Sequence, residues 1–148
     1  MGARRAPGRG SQVKITILSV GRLRAPYADD VAHYEKLIGH YAPIELVELR
    51  DSDKLARRVP DRAFVVLLDD SGRQYDSVAF SGFLEQRRAS GLDLCFVVGG
   101  AYGIELERTD AKLSLGPMTL PHQLARVVLL EQIYRGHSIL AGAPYHHE

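Results

Sequence analysis

Cysteine is nearly absent from this chain: there is one, Cys95, in 148 residues. That excludes an internal disulfide framework, and the apolar neighbours in LDLCFVV make Cys95 a small buried hydrophobe rather than a nucleophile. Long apolar runs are missing as well. None approaches the ~20 residues a bilayer span requires, so no membrane association is expected. The opening MGARRAPGRGSQ is basic but has no apolar core behind it, which argues against a secretory signal and for a cytoplasmic protein. Three signatures are also absent. There is no GxGxxG, which argues against a dinucleotide-dependent oxidoreductase, no Gly-Lys-Ser/Thr of a phosphate-binding P-loop, and no HExxH of a zinc peptidase. Nor is there an RNP-like motif or a basic helix of the kind that reads RNA directly.

Excess charge is lacking overall, with a formal net charge of +1, but the balance is uneven. Six of the 19 basic residues and none of the 18 acidic ones precede Asp29. Such an arm could touch phosphate. Gly, Pro and Arg dominate residues 1–12, however, and nothing there can pack, so this stretch reads as a disordered basic extension. Folded sequence is expected to begin at Val13 and to form a single domain over 13–148, long enough to bury a core.

From Val13 the pattern alternates. VKITILSV (13–20) is a β-branched run, and residues 27–38 carry apolar side chains at helical spacing. IELVEL (44–49) alternates as a half-exposed strand does, whereas 51–60 is short, charged and indistinct. AFVVLLD (63–69) and LDLCFVV (92–98) are continuous apolar runs, expected of strands buried on both faces. Asp69-Asp70-Ser71-Gly72 reads as a turn, 76–90 as a helix, 104–110 as a short helix, and 112–118 as a short strand or irregular segment. A long helix is expected from Leu120 to about Gly136, with Thr119 as N-cap and Pro121 in its first turn. Strands alternating with helices give an α/β fold with a parallel or mixed sheet flanked by helices on both faces. Ligands then sit outside the carboxyl ends of the central strands, here Asp69–Gly72 and the glycine loop 99–103. Such a loop is weak evidence by itself, since many are plain tight turns.

The long helix is apolar on more than one face, so it is either central or packed on two partners, the second of which could be another subunit. Its polar members are Arg126, Glu131, Gln132 and Arg135, read as surface residues or as an i,i+4 pair between Glu131 and Arg135. His122, after a proline at the helix start, reads as structural. Behind the helix the sequence ends Tyr145-His146-His147-Glu148. Terminal residues are usually a solvated tail, but an aromatic, two imidazoles and a carboxylate directly after an apolar helix are also candidates for chemistry. Two adjacent histidines and a glutamate do not converge well on one ion, so no metal is expected.

LLDDSG at 67–72, FVVGGAYG at 96–103 and LSLGPMTLPHQLARVVLLEQIYR…PYHHE at 113–148 together resemble the ribosomal RNA large subunit methyltransferase H family of the SPOUT class. VKITILSVGRL at 13–23 is similar to that family's usual amino terminus. The long-helix motif followed by PYH is highly specific, and the resemblance spans Val13 to Glu148. It implies a homodimeric SPOUT-type α/β fold with a carboxyl-terminal trefoil knot, a feature that general folding rules would not suggest. It implies S-adenosylmethionine-dependent methylation of N3 of a pseudouridine in the helix 69 loop of 23S ribosomal RNA, on the assembled ribosome. Cofactor contacts would fall on Leu68, Gly99, Gly100, Leu115, Gly116, Pro117, Met118, Thr119 and Leu120. Substrate and catalytic roles would fall on Tyr145, His146 and His147. His146 would be the general base or would orient the uracil edge, Tyr145 would stack on or hydrogen-bond the nucleobase, and Glu148 would steer His146. Arg22, Arg24, Arg126 and Arg135 are the candidate RNA contacts.

Three departures from the family pattern stand out. His147 occupies a position where Lys or Arg is typical, the 51–62 region is short, and residues 1–12 lie outside the pattern, so that the natural start could be Val13. Two other functions remain open at this point, a SPOUT methyltransferase acting on transfer RNA and a non-catalytic ribosome-binding protein.

Overall fold

The computed structural model describes residues 13–99 and 106–147; the expected disorder of 1–12, Gly100, the rest of the glycine loop and Glu148 lie outside the described residues. Among the described residues five strands form one wholly parallel sheet: β1 (Ile15–Val20), β2 (Ile44–Leu49), β3 (Phe64–Gln74), β4 (Leu94–Val98) and β5 (Ala111–Ser114). Their spatial order is β2-β1-β4-β3-β5. The two continuous apolar runs, β3 and β4, lie side by side inside the sheet with β1, and every residue of β4 is buried. A strand covered on both faces needs apolar side chains at every position rather than every second one.

Alternate residues of these strands feed two cores. Ile15, Ile17, Val66, Leu94, Phe96 and Val98 face one side, together with Val31, Ile38, Phe80, Leu84, Leu129, Leu130 and Ile133 of the helices. Leu18, Val65, Leu67, Cys95 and Val97 face the other, under Leu55, Val59 and Leu106. The first side carries all three long helices: α1 (Tyr27–Ile38), α3 (Ser77–Ser90) and α4 (His122–Leu140). Helix α4 packs on both α1 and α3, which accounts within one chain for its apolar circumference. The expectation of helices on both faces is met only thinly, because the second side carries a 3-10 turn at Ser52–Lys54 and the single turn α2 (Leu55–Arg58). No helix among the described residues is long and apolar enough to cross a membrane.

Helix α3 begins where Asp76 accepts a hydrogen bond from the Ala79 amide at 2.7 Å and ends at Gly91 in the left-handed conformation, φ 79°, as helix-end chemistry dictates. Helix α4 differs from expectation at its start. Thr119 does not cap it; Pro121 occupies that position, without a side-chain cap, and its carbonyl accepts from the Ala125 amide at 2.9 Å. The expected helix over 104–110 is not found across Leu106–Asp110. There Asp110 instead pairs with β3, donating its amide to Val65 O at 2.9 Å and accepting from the Val65 amide at 2.8 Å. Arg108 ties the same stretch to the carbonyls of Pro60, Asp61 and Ala63.

The turn expected at Asp69–Gly72 lies inside β3. Leu113 of β5 is opposite both Leu68 and Arg73, so four residues bulge out of the ladder before pairing resumes. The turn chemistry is still present, since Asp69 Oδ1 accepts from the Ser71 amide at 2.9 Å.

Candidate functional site

Because all five strands are parallel, their carboxyl ends share one edge of the sheet. A cleft of about 130 Å³ opens there. One wall comes from β3 (Leu68, Asp69, Asp70) and β4 (Val98, Gly99). The other comes from the segment after β5 (Leu115, Gly116, Met118, Leu120) and the first turn of α4 (His122, Ala125). Of the residues the resemblance assigns to the cofactor, Leu68, Gly99, Leu115, Gly116, Met118 and Leu120 line this cleft. Pro117 and Thr119 are exposed on the same loop and do not line it.

The loop is shaped at Gly116, whose φ of +131° is strained for any side-chain-bearing residue. The Gly116 amide donates to Ser114 Oγ, and that hydroxyl donates to Gly116 O, both at 3.1 Å. A second cavity, of about 240 Å³, lies behind the loop against Tyr75, Phe80, Val128 and Gln132, so Leu115 and Gly116 form a partition between two hollows.

The charged groups of the cleft are acidic. The Ser71 backbone amide, then its hydroxyl, holds the Asp69 carboxyl below the usual carboxylate range, and Lys112 at 3.9 Å adds to this. The cleft can therefore attract a cation while offering apolar walls and open backbone at Gly116, where nothing lies within 4 Å of the position a Cβ would take. His122, expected to be structural, is half-buried in the cleft wall.

The carboxyl-terminal residues form a separate cluster on α4. The Tyr145 hydroxyl donates to Glu131 Oε2 at 2.8 Å, and its ring stands edge-on to Tyr134 with centroids 4.6 Å apart. Arg135 donates to the same Glu131 oxygen at 2.7 and 3.1 Å, lies over the Tyr145 ring at 4.7 Å, and places Nη1 3.0 Å from His146 Nδ1. Burial, then the hydrogen bond to Glu131, pushes the Tyr145 phenol well above its ordinary value. The expected Glu131–Arg135 pair thus exists, as the hub that folds the tail back. His147 is exposed and makes no polar contact among the described residues.

The structure does not bring the tail and the cleft together within one chain. Glu131 lies six residues beyond Ala125, or about 9 Å of helical rise, and roughly 120° away around the axis. Two features escaped the sequence reading. Glu131 as the tail's acceptor was legible only as half of a helical pair. Arg126, read as a surface or RNA-facing residue, is buried at 3% exposure. It donates to Val20 O at 2.6 Å, Gly21 O at 2.8 Å and Glu48 at 3.1 Å, and so is an internal clamp and not the RNA contact expected from the sequence. Arg22 and Arg24 are exposed on the adjoining loop, whose backbone is held by Gln123 at 3.1 and 3.0 Å. Among the described residues no cluster of three metal-ligating side chains occurs.

Residues 13–146 match the family described as "Predicted SPOUT methyltransferase". The chain is similar to the ribosomal RNA large subunit methyltransferase H of Nitratidesulfovibrio vulgaris, at 41% identity over 90% of this chain and 98% of the relative. It is similar to the proteins of that name from Pelobacter propionicus, at 40% identity over 91% and 100% of the two chains, and Acidiphilium cryptum, at 42% over 95% and 96%.

Proposed function

The chain belongs to the SPOUT methyltransferases and, within them, to the ribosomal RNA large subunit methyltransferase H family, and from that premise we propose that it methylates N3 of a pseudouridine in the helix 69 loop of 23S ribosomal RNA, acting on the assembled ribosome in the cytoplasm. As a SPOUT methyltransferase it uses S-adenosylmethionine as methyl donor. The family match across residues 13–146 carries the reading most.

The chemistry of the cleft fits the donor. Leu68, Val98, Leu115 and Leu120 offer apolar contact, Gly99 and Gly116 leave backbone accessible, and Asp69 and Asp70 supply negative charge for a cationic ligand. Bound there, S-adenosylmethionine would supply an electrophilic methyl on a sulfonium. Pro117 and Thr119 would belong to the loop that closes on it, and Gly100 would continue the wall from Gly99. Alignment of N3 with the methyl–sulfur axis is the protein's principal task and could supply up to ~7–11 kcal/mol of the barrier reduction. Tyr145 and His146 would hold the pyrimidine, and exposed His147 would contact RNA beside it. Arg22 and Arg24, exposed at the same end of the sheet, would meet phosphate.

A homodimer belongs to this proposal. Tail and cleft lie on different faces of α4, so a second copy is the economical way to bring a His146 to a cleft. The carboxyl-terminal trefoil knot is also proposed, on the resemblance and on the course of the chain from β4 past β3 to β5 at the sheet edge.

The test is transfer of tritium from labelled S-adenosylmethionine to assembled ribosomes lacking the modification, beside naked ribosomal RNA and transfer RNA. Label at one pseudouridine of the ribosome alone is the expected result. Label on transfer RNA would replace it with the transfer RNA reading, and cofactor binding without any transfer would leave a ribosome-binding protein.

A further inference from the structure

The contact between Arg135 and His146 determines what the imidazole can do. A guanidinium has only donors and stays protonated in proteins. With Nη1 3.0 Å from Nδ1, Nδ1 must be the acceptor and can carry no proton. A neutral imidazole in that position holds its proton on Nε2. Arg135 is itself fixed by two hydrogen bonds to Glu131 and by the Tyr145 ring. Among the described residues, the charged or titratable groups around the pair are Glu131 and Tyr134 on α4, Tyr34 on α1, whose ring lies against Tyr134, and Tyr145 and His147 of the tail.

We propose that Arg135 is a positioning residue that locks His146 in the Nε2–H tautomer, so that His146 gives the target pyrimidine a hydrogen-bond donor and does not act as its base. The inference rests on the reading above, in which His146 meets the pyrimidine. N3 of that ring is flanked by two carbonyls, and loss of its proton spreads negative charge onto their oxygens. An Nε2–H aimed at one of them stabilises the deprotonated ring where charge develops, as preorganised donors do elsewhere. The N3 proton passes to solvent water, and N3 then attacks the methyl carbon while the methyl–sulfur bond breaks, leaving neutral thioether.

Two measurements on the full chain test this. Nitrogen-15 NMR of the imidazoles, with the His146 signals identified by their loss in His146→Gln, is expected to show Nε2–H in the native protein and a mixture of tautomers in Arg135→Met. Finding Nδ1–H in the native protein would overturn the inference whether or not the ribosome is a substrate. Single-turnover methylation is the second. Gln places an amide N–H near the Nε2 position and Asn places one near Nδ1. His146→Gln is therefore expected to stay within about tenfold of the native rate, and His146→Ala and His146→Asn to lose about 10²–10³-fold, the effect of removing one such donor. Cofactor affinity is expected to be unchanged in all three. Equal loss in Gln and Ala, with a native rate that follows titration of an imidazole, would make His146 a base and overturn the donor role while leaving the methyltransferase reading in place. No transfer by the native protein would sink that reading instead.

Discussion

Arg126 shows how much one residue can depend on contacts far away in sequence. It sits on an apolar helix, yet two of its acceptors are the carbonyls of Val20 and Gly21, more than 100 positions earlier. Burial lowers its pKa and Glu48 opposes that shift, so the cation persists because its partners are already oriented. Truncating it removes the guanidinium donors from two partly buried carbonyls. Arg126→Met is expected to cost about 2–3 kcal/mol, below the full value for a buried pair because Glu48 is partly in water. Urea unfolding checks this; an unchanged midpoint would mean that water replaces the guanidinium without loss. Cys95 is the opposite case. Its burial was legible from the five apolar residues around it in LDLCFVV, and that burial pushes the thiol up to about 12, in keeping with a packing role.

At the scale of elements, the β3 bulge governs the cleft. Asp-Asp-Ser-Gly is turn chemistry and behaves as such locally, but β5 on the far side restores the ladder at Arg73 and Gln74. Local sequence contains no record of that partner. Gly72 is needed for close approach: a Cβ there would lie 2.6 Å from the Lys112 and Leu113 backbone. Backbone cannot give way as a flexible side chain can, so Gly72→Ala must displace β5 and with it the loop to Leu120. A loss of ~1–3 kcal/mol, typical of overpacking, should accompany at least tenfold weaker S-adenosylmethionine binding in calorimetric titration. Full affinity in a destabilised variant would separate the bulge from the cleft. By contrast, α1 and β2 were legible over their whole lengths, because each carries its own periodicity and needs no distant partner to define its ends.

For the whole molecule, His137 ties acid stability to the three-helix face. It is 4% exposed on α4, with Nδ1 2.8 Å from Ile133 O and its ring stacked on Tyr41. Burial lowers its pKa from 6.5, outweighing the carbonyl contact. The folded state therefore binds fewer protons than the unfolded chain once pH falls below that value. Stability from this group is complete above pH 6.5 and declines as pH drops towards the folded-state pKa, by up to ~1.4 kcal/mol per pH unit. Comparing urea midpoints of the native chain and His137→Gln at pH 7.5 and pH 5 isolates the effect. The native chain should lose more stability on acidification, and equal losses would show that His137 charges freely in the fold.

The sequence by itself determined the alternating α/β order, the buried central strands and, through the motifs at 67–72, 96–103 and 113–148, the family. These follow from periodicity, turn chemistry and the identity of contiguous residues. Only the tertiary structure decided that three long helices share one face, that β3 continues past its own turn, that Arg126 is internal, and that the tail folds onto Glu131 and Arg135 away from the cleft. Each of those outcomes depends on contacts between segments distant along the chain. A polar residue on a helix reads alike whether it meets water or the carbonyl end of a strand, until the strand is placed beside it.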